Sequence, residues 1–159
     1  MPRLQPGDAA PGFTIAGDTG PISLDDFAGG TLVLYFYPKD DTPGCTTEGK
    51  DFSALVVEFV RAGARVVGVS RDSVAAHGRF RAKHGLTVGL GADIDGSVTE
   101  AYGVWVEKSM YGRRYMGIER ATFLIDSDGR VAQIWRKVKV AGHAAEVLNA
   151  AQGLKVKQV

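Results

Sequence analysis

The chemistry in this sequence starts from one sulfur. Cys45 is the sole cysteine among 159 residues, which excludes an intramolecular disulfide and an all-cysteine metal site. It is therefore either an inert buried residue or a solitary reactive thiol, and its surroundings must decide. The approach to it reads Pro38-Lys39-Asp40-Asp41-Thr42-Pro43-Gly44-Cys45, so a proline, a hydroxyl and the thiol recur as P-x-x-x-T-x-x-C. The cysteine falls between the Pro43-Gly44 loop and the expected first turn of a helix, where unbonded backbone N–H groups and the helix dipole favour an anion. A free cysteine titrates at about 8.5, and such a setting with a nearby cation lowers that value, which makes the thiol a nucleophile.

The elements that must hold this sulfur can be read outward from it. Residues 31–37 (TLVLYFY) form a near-continuous apolar run, as expected for a strand covered on both faces, and Pro38 ends it. From Gly44 onward Phe52, Leu55, Val56, Phe59 and Val60 make one helical stripe that Gly63 stops. Residues 65–70 read as a second buried strand and residues 73–84 as a helix closed by Gly85. A strand is expected at 87–90, and Ser97 with Glu100 predicts a capping box on a short helix ending near Gly103. Residues 122–125 and 131–136 flank a Gly-terminated turn as an antiparallel hairpin, and 142–151 can form a last helix. Short pieces at 13–15 and 22–24 predict a small N-terminal hairpin. The whole, residues 1–159, reads as a single α/β domain with a partly parallel sheet and no internal repeat.

Composition narrows the possibilities further. Nineteen basic and 18 acidic residues are scattered in both signs for a net charge of +1, a field that attracts neither nucleic acid nor a membrane surface. No apolar run is long enough to span a bilayer and the first residues lack the apolar core of a signal peptide, so a cytoplasmic location is expected. Asp126-Ser127-Asp128-Gly129 and Asp93-Ile94-Asp95-Gly96 lack the twelfth-position acid of a calcium loop and read as turns. His77, His84 and His143 show no ligand spacing and read as surface histidines; no metal is expected. Trp105, Tyr111 and Tyr115 read first as packing residues and second as flanks of a site opening. The Gly-x-Gly spacings lack a dinucleotide fingerprint, and no cofactor is expected.

The P-x-x-x-T-x-x-C motif followed by Thr46-Thr47-Glu48 resembles the peroxidatic loop of the peroxiredoxins, and the wording YFYPKDDTPGCTTE resembles their peroxiredoxin Q or bacterioferritin-comigratory-protein branch. The segment Gly117-Ile118-Glu119-Arg120-Ala121-Thr122-Phe123-Leu124-Ile125-Asp126 is similar to the one in which that branch carries its active-site arginine. The likeness runs from about Gly7 to Leu154. It implies a thioredoxin-like fold, a central mixed sheet flanked by helices, and a thiol peroxidase acting on hydrogen peroxide and organic hydroperoxides. Under that implication Cys45 is the nucleophile, Thr42 holds and donates to the peroxide oxygen, and Arg120 lowers the thiol pKa and binds the oxygens. Pro38 shields the sulfur, Gly44 belongs to the supporting loop, and Glu48, one turn after Cys45, orients Arg120 by an ion pair.

The sequence departs from the branch at Lys50, where many members carry a resolving cysteine. A sulfenic acid on Cys45 must therefore be reduced by an external thiol, and it is open to over-oxidation. The resemblance implies thioredoxin, glutaredoxin or a low-molecular-weight thiol as that reductant, and a monomer, with a weak dimer as the alternative. Two other readings stand beside this one: a non-enzymatic redox sensor or chaperone of thioredoxin fold, and a cysteine hydrolase, for which no pattern around the histidines supplies a base.

Overall fold

The structure, a computed structural model, describes residues 3–157. Strand β3 (Thr31–Phe36) is buried at every position because it runs between two neighbours under two layers. It pairs in parallel with β4 (Ala64–Ser70) and antiparallel with β8 (Ala121–Ile125). Strand β5 (Gly89–Ala92) continues the parallel side, two residues later than the sequence suggests. The expected N-terminal hairpin is present as β1 (Thr14–Gly17) and β2 (Ile22–Ser23), and β1 also closes onto β5. With β9 (Val131–Trp135) beside β8, the seven-stranded mixed sheet has the order β2-β1-β5-β4-β3-β8-β9.

Alternation along β3 divides the core. Val33 and Tyr35, with Tyr37 just beyond the strand, face one apolar layer with Phe52, Phe59, Phe80 and Val147, whereas Leu32, Leu34 and Phe36 face another with Tyr102, Phe123 and Ile118. Helices α1 (Pro43–Ala54), α2 (Val56–Arg61), α3 (Val74–His84) and α5 (His143–Lys157) cover the first layer. Short α4 (Ser97–Ala101) lies on the second. Helix α3 has both predicted ends: Ser73 accepts from the Ala76 N–H at 3.1 Å, and Gly85 takes the left-handed conformation (φ 64°) that stops it. No helix among the described residues is long and apolar enough to cross a membrane.

Three expectations need correction. The stripe that predicts one helix from Gly44 to Gly63 is broken at Leu55, whose N–H bonds to Phe52 O (3.1 Å); the β-branched pair Val56-Val57 crowds the preceding turn, and the two halves re-aim. Val57 and Val60 consequently face solvent. The capping box at Ser97 and Glu100 does not form. Gly96 is the N-cap, and the buried Asp93 carboxylate accepts instead from the N–H groups of Val98 (3.1 Å) and Thr99 (2.8 Å). Residues 105–118 form a separate two-stranded hairpin, β6 (Trp105–Met110) with β7 (Arg113–Ile118), which the sequence reading left without an element.

Candidate active site

Cys45 is the third residue of α1, after Pro43 at the first helical position and Gly44 at the second. Proline suits that place because its missing N–H would have had no helical partner. The first helical bond runs from Thr46 N to Thr42 O (2.8 Å), so the N–H groups of Gly44 and Cys45 precede it at the positive end of the helix. The thiol is nevertheless only 2% exposed and belongs to the apolar layer of Tyr35 and Phe52.

Arg120 immediately precedes β8 and reaches the sulfur from this neighbouring strand, beside the place where β3 hands over to the loop before Cys45. Its Nη2 donates to Sγ at 3.3 Å and its Nη1 donates to Glu48 Oε1 at 2.7 Å. A sulfur accepts such a bond most strongly when ionised. Glu48, three residues after Cys45, shares its face of the helix. Burial pushes the Glu48 carboxyl up to about 7, and the adjacent guanidinium pulls the other way. Its second oxygen has no partner among the described residues. Burial would drain charge from Arg120, yet Glu48 and Cys45 outweigh it and hold the guanidinium above its ordinary value.

Gly44 earns its place by close approach: a Cβ there would stand 3.2 Å from Arg120 Nη2. The Thr42 hydroxyl donates to Lys39 O at 2.8 Å, so its proton is already committed and its oxygen is left as an acceptor. This corrects the donor role expected from the sequence. Pro38 lies at the exposed start of the loop. Behind the sulfur, Tyr35 stacks on Phe52 (4.6 Å between centroids), and its phenol is held well above its ordinary pKa by burial and by the charges of Glu48 and Cys45.

Two of the three histidines, His77 and His143, are buried, contrary to the sequence reading, while His84 is partly exposed. His77 is fully buried: its Nε2 donates to Gly91 O (2.9 Å) and its Nδ1 meets Asp40 Oδ2 at 2.7 Å. Both ring nitrogens face acceptors, which describes an imidazolium; burial opposes that charge, but Asp40 outweighs burial and holds the ring above its ordinary value. Asp40 also accepts from Tyr37 Oη at 2.6 Å. The next residue, Asp41, in a left-handed conformation (φ 61°), binds Lys83 Nζ (2.8 Å) and His84 Nε2 (2.7 Å). Two consecutive aspartates thus tie the loop before Cys45 to α3. No local signal marks His77 for burial, because its partner lies 37 residues away. His143 is buried and kept neutral, its Nε2 2.8 Å from Thr122 Oγ1; among the described residues Sγ bonds to Arg120 and to no histidine. A histidine base for thiol hydrolysis is thus not provided.

Residues 6–134 match the AhpC/TSA family. The chain is 58% identical over 128 residues, 80% of each chain, to peroxiredoxin Bcp of Xanthomonas campestris pv. campestris. It is 48% identical over 146 residues to peroxiredoxin Bcp of Bacillus subtilis, covering 91% of this chain and 93% of that one. Among solved structures, the bacterioferritin comigratory protein of X. campestris, studied for its alkyl peroxide reduction activity, superposes with a TM-score of 0.86 at 51% identity, covering 90% and 92% of the two chains.

Proposed function

The chain belongs to the AhpC/TSA family and is a thiol-dependent peroxidase of the peroxiredoxin Q type, and from that premise we propose that Cys45 is its nucleophile and Arg120 its electrostatic partner. The observation that carries this assignment is one guanidinium bonded at once to Sγ and to the buried Glu48 carboxylate. The Cys45 thiolate attacks the outer oxygen of a hydroperoxide and the O–O bond breaks. Cys45 becomes a sulfenic acid, and the departing oxygen takes up a proton to leave as water or an alcohol. Arg120 Nη2 donates to the charge developing on the oxygens, while the Thr42 oxygen accepts the peroxide O–H. Pro38 and Gly44 shape the loop: the first ends the strand, and the second leaves room for the guanidinium. Alkyl hydroperoxides, which the X. campestris relative reduces, fall within the substrates together with hydrogen peroxide.

With a single cysteine, the cycle is completed by an external thiol. The protein works as one monomeric domain, and a thiol that must be reduced at every turnover fits the reducing cytoplasm. The test is peroxide consumption with an added thiol. Cys45→Ser abolishes it, and Arg120→Ala lowers the rate of Cys45 oxidation about a hundredfold, the scale expected for losing one preorganised donor. A Cys45→Ser protein that still turns over peroxide would refute the assignment.

A further inference from the structure

Thr42 meets the peroxide with an oxygen that accepts, because its own proton is committed to the Lys39 carbonyl at 2.8 Å. Whatever holds that carbonyl therefore bears on the reaction. The Lys39 C=O and the Asp40 N–H belong to one planar peptide unit, and all described peptide bonds are trans, so fixing the direction of one group fixes the other. The Asp40 N–H donates to Asp72 Oδ2 at 2.9 Å. Asp72 lies in the turn that leads from β4 to α3, 32 residues beyond Asp40, and nothing in the motif around Cys45 points to it.

The Asp72 carboxylate is itself fastened to the framework. Its Oδ2 also accepts from the Ser70 hydroxyl at 2.6 Å, and that hydroxyl oxygen accepts in turn from the Asp72 N–H at 3.2 Å. Ser70 is fully buried at the end of β4, and Ser73, next after Asp72, caps α3. From the other side, the Asp40 carboxylate accepts from Tyr37 Oη (2.6 Å) and meets His77 Nδ1 (2.7 Å). Asp40 is thus pinned by backbone and side chain alike, and the Lys39–Asp40 peptide cannot turn without breaking the Asp72 bond. Thr42 has no such restraint of its own. It stands at the N-cap of α1, yet its side chain makes no capping bond, which leaves the oxygen open to a substrate. If the Lys39 carbonyl swung away, the hydroxyl would rotate freely and offer the peroxide a donor as readily as an acceptor.

We propose that Asp72 is a positioning residue of the peroxidase: through the Lys39–Asp40 peptide it keeps the Thr42 proton on the Lys39 carbonyl and so leaves the Thr42 oxygen to receive the hydroperoxide O–H. This rests on the reading of Cys45 as the nucleophile and of Thr42 as the acceptor. The bonds of Asp72 run to Asp40 and Ser70, not to Cys45 or Arg120, so its effect on the rate passes through Thr42. Losing it slows the attack on a hydroperoxide and leaves the sulfur as reactive as before toward a reagent that brings no O–H.

The test compares two single-turnover reactions of Cys45 in the full chain, oxidation by hydrogen peroxide and alkylation by iodoacetamide, each followed by loss of the free thiol. In Asp72→Ala we expect oxidation to slow about tenfold, the scale of one hydrogen bond to a charged acceptor, while alkylation stays within about twofold. Asp72→Asn keeps an acceptor for the Asp40 N–H and should hold both rates near the wild type. In a Thr42→Val chain Asp72→Ala should cause no further slowing of oxidation, because the hydroxyl it serves is gone. Unaltered oxidation in Asp72→Ala, equal slowing of both reactions, Asp72→Asn as slow as Asp72→Ala, or a full Asp72→Ala effect in the Thr42→Val chain each overturns the proposal. If Asp72→Ala does not fold, Ser70→Ala, which unfastens the same carboxylate, must lower the ratio of oxidation to alkylation by about threefold or more for the proposal to stand. Thr42→Val oxidising at the wild-type rate would instead remove the underlying reading of Thr42, and this proposal with it.

Discussion

Glu48 is the residue whose environment most constrains the site. Its carboxyl ordinarily titrates near 4.5 and is raised to about 7 here. A raised value means the folded chain holds the proton more tightly than the unfolded one. The associated stability is complete below about pH 4.5 and is lost as pH climbs through 7. Glu48→Gln keeps an acceptor for Arg120 and removes the titration, so urea midpoints of the variant should lack a decline of about 2 kcal/mol between pH 5 and 8. An identical pH slope in both proteins would show that the Arg120 pairing cancels the burial. The same residue was legible in the sequence as the partner of Arg120; the committed proton of Thr42 was not, since it depends on where the Lys39 carbonyl points.

At the scale of elements, the loop between β3 and α1 is held by α3 rather than by its own sequence. Asp40 faces the buried His77, and Asp41 faces His84 and Lys83. Asp40→Asn leaves an uncompensated imidazolium in the interior and should cost about 3 kcal/mol in urea unfolding, with faster amide exchange across residues 38–43. Unchanged exchange there would mean that α3 does not hold the loop. What the sequence made readable was local: the apolar run of β3, the Ser73 and Gly85 ends of α3, and the cysteine motif itself. What it concealed depends on distant partners or on an atypical turn. The β6–β7 hairpin turns at Tyr111-Gly112, both with positive φ (52° and 76°), and a tyrosine where asparagine or aspartate is usual gives no turn signal. The break at Leu55 was hidden because the apolar stripe continues through it in register.

Across the whole molecule, the fully buried β3 separates two apolar layers, and the Cys45 sulfur is a constituent of one of them. Cys45 packs in the same layer as Tyr35, Phe52 and Val147, where ordinary chains place hydrocarbon. Oxidation of Cys45 would therefore add an atom to a close-packed layer. Even with Arg120 beside it, that overfilling costs on the order of 1–2 kcal/mol, so the oxidised chain should melt about 5 °C below the reduced one in a calorimetric scan, and Cys45→Ala should melt alike under both treatments. Equal melting of both wild-type forms would show that the layer has room for the added oxygen. The thermal endurance of this protein thus doubles as a gauge of its redox history, and the chain is most fragile in the interval when it awaits its reductant.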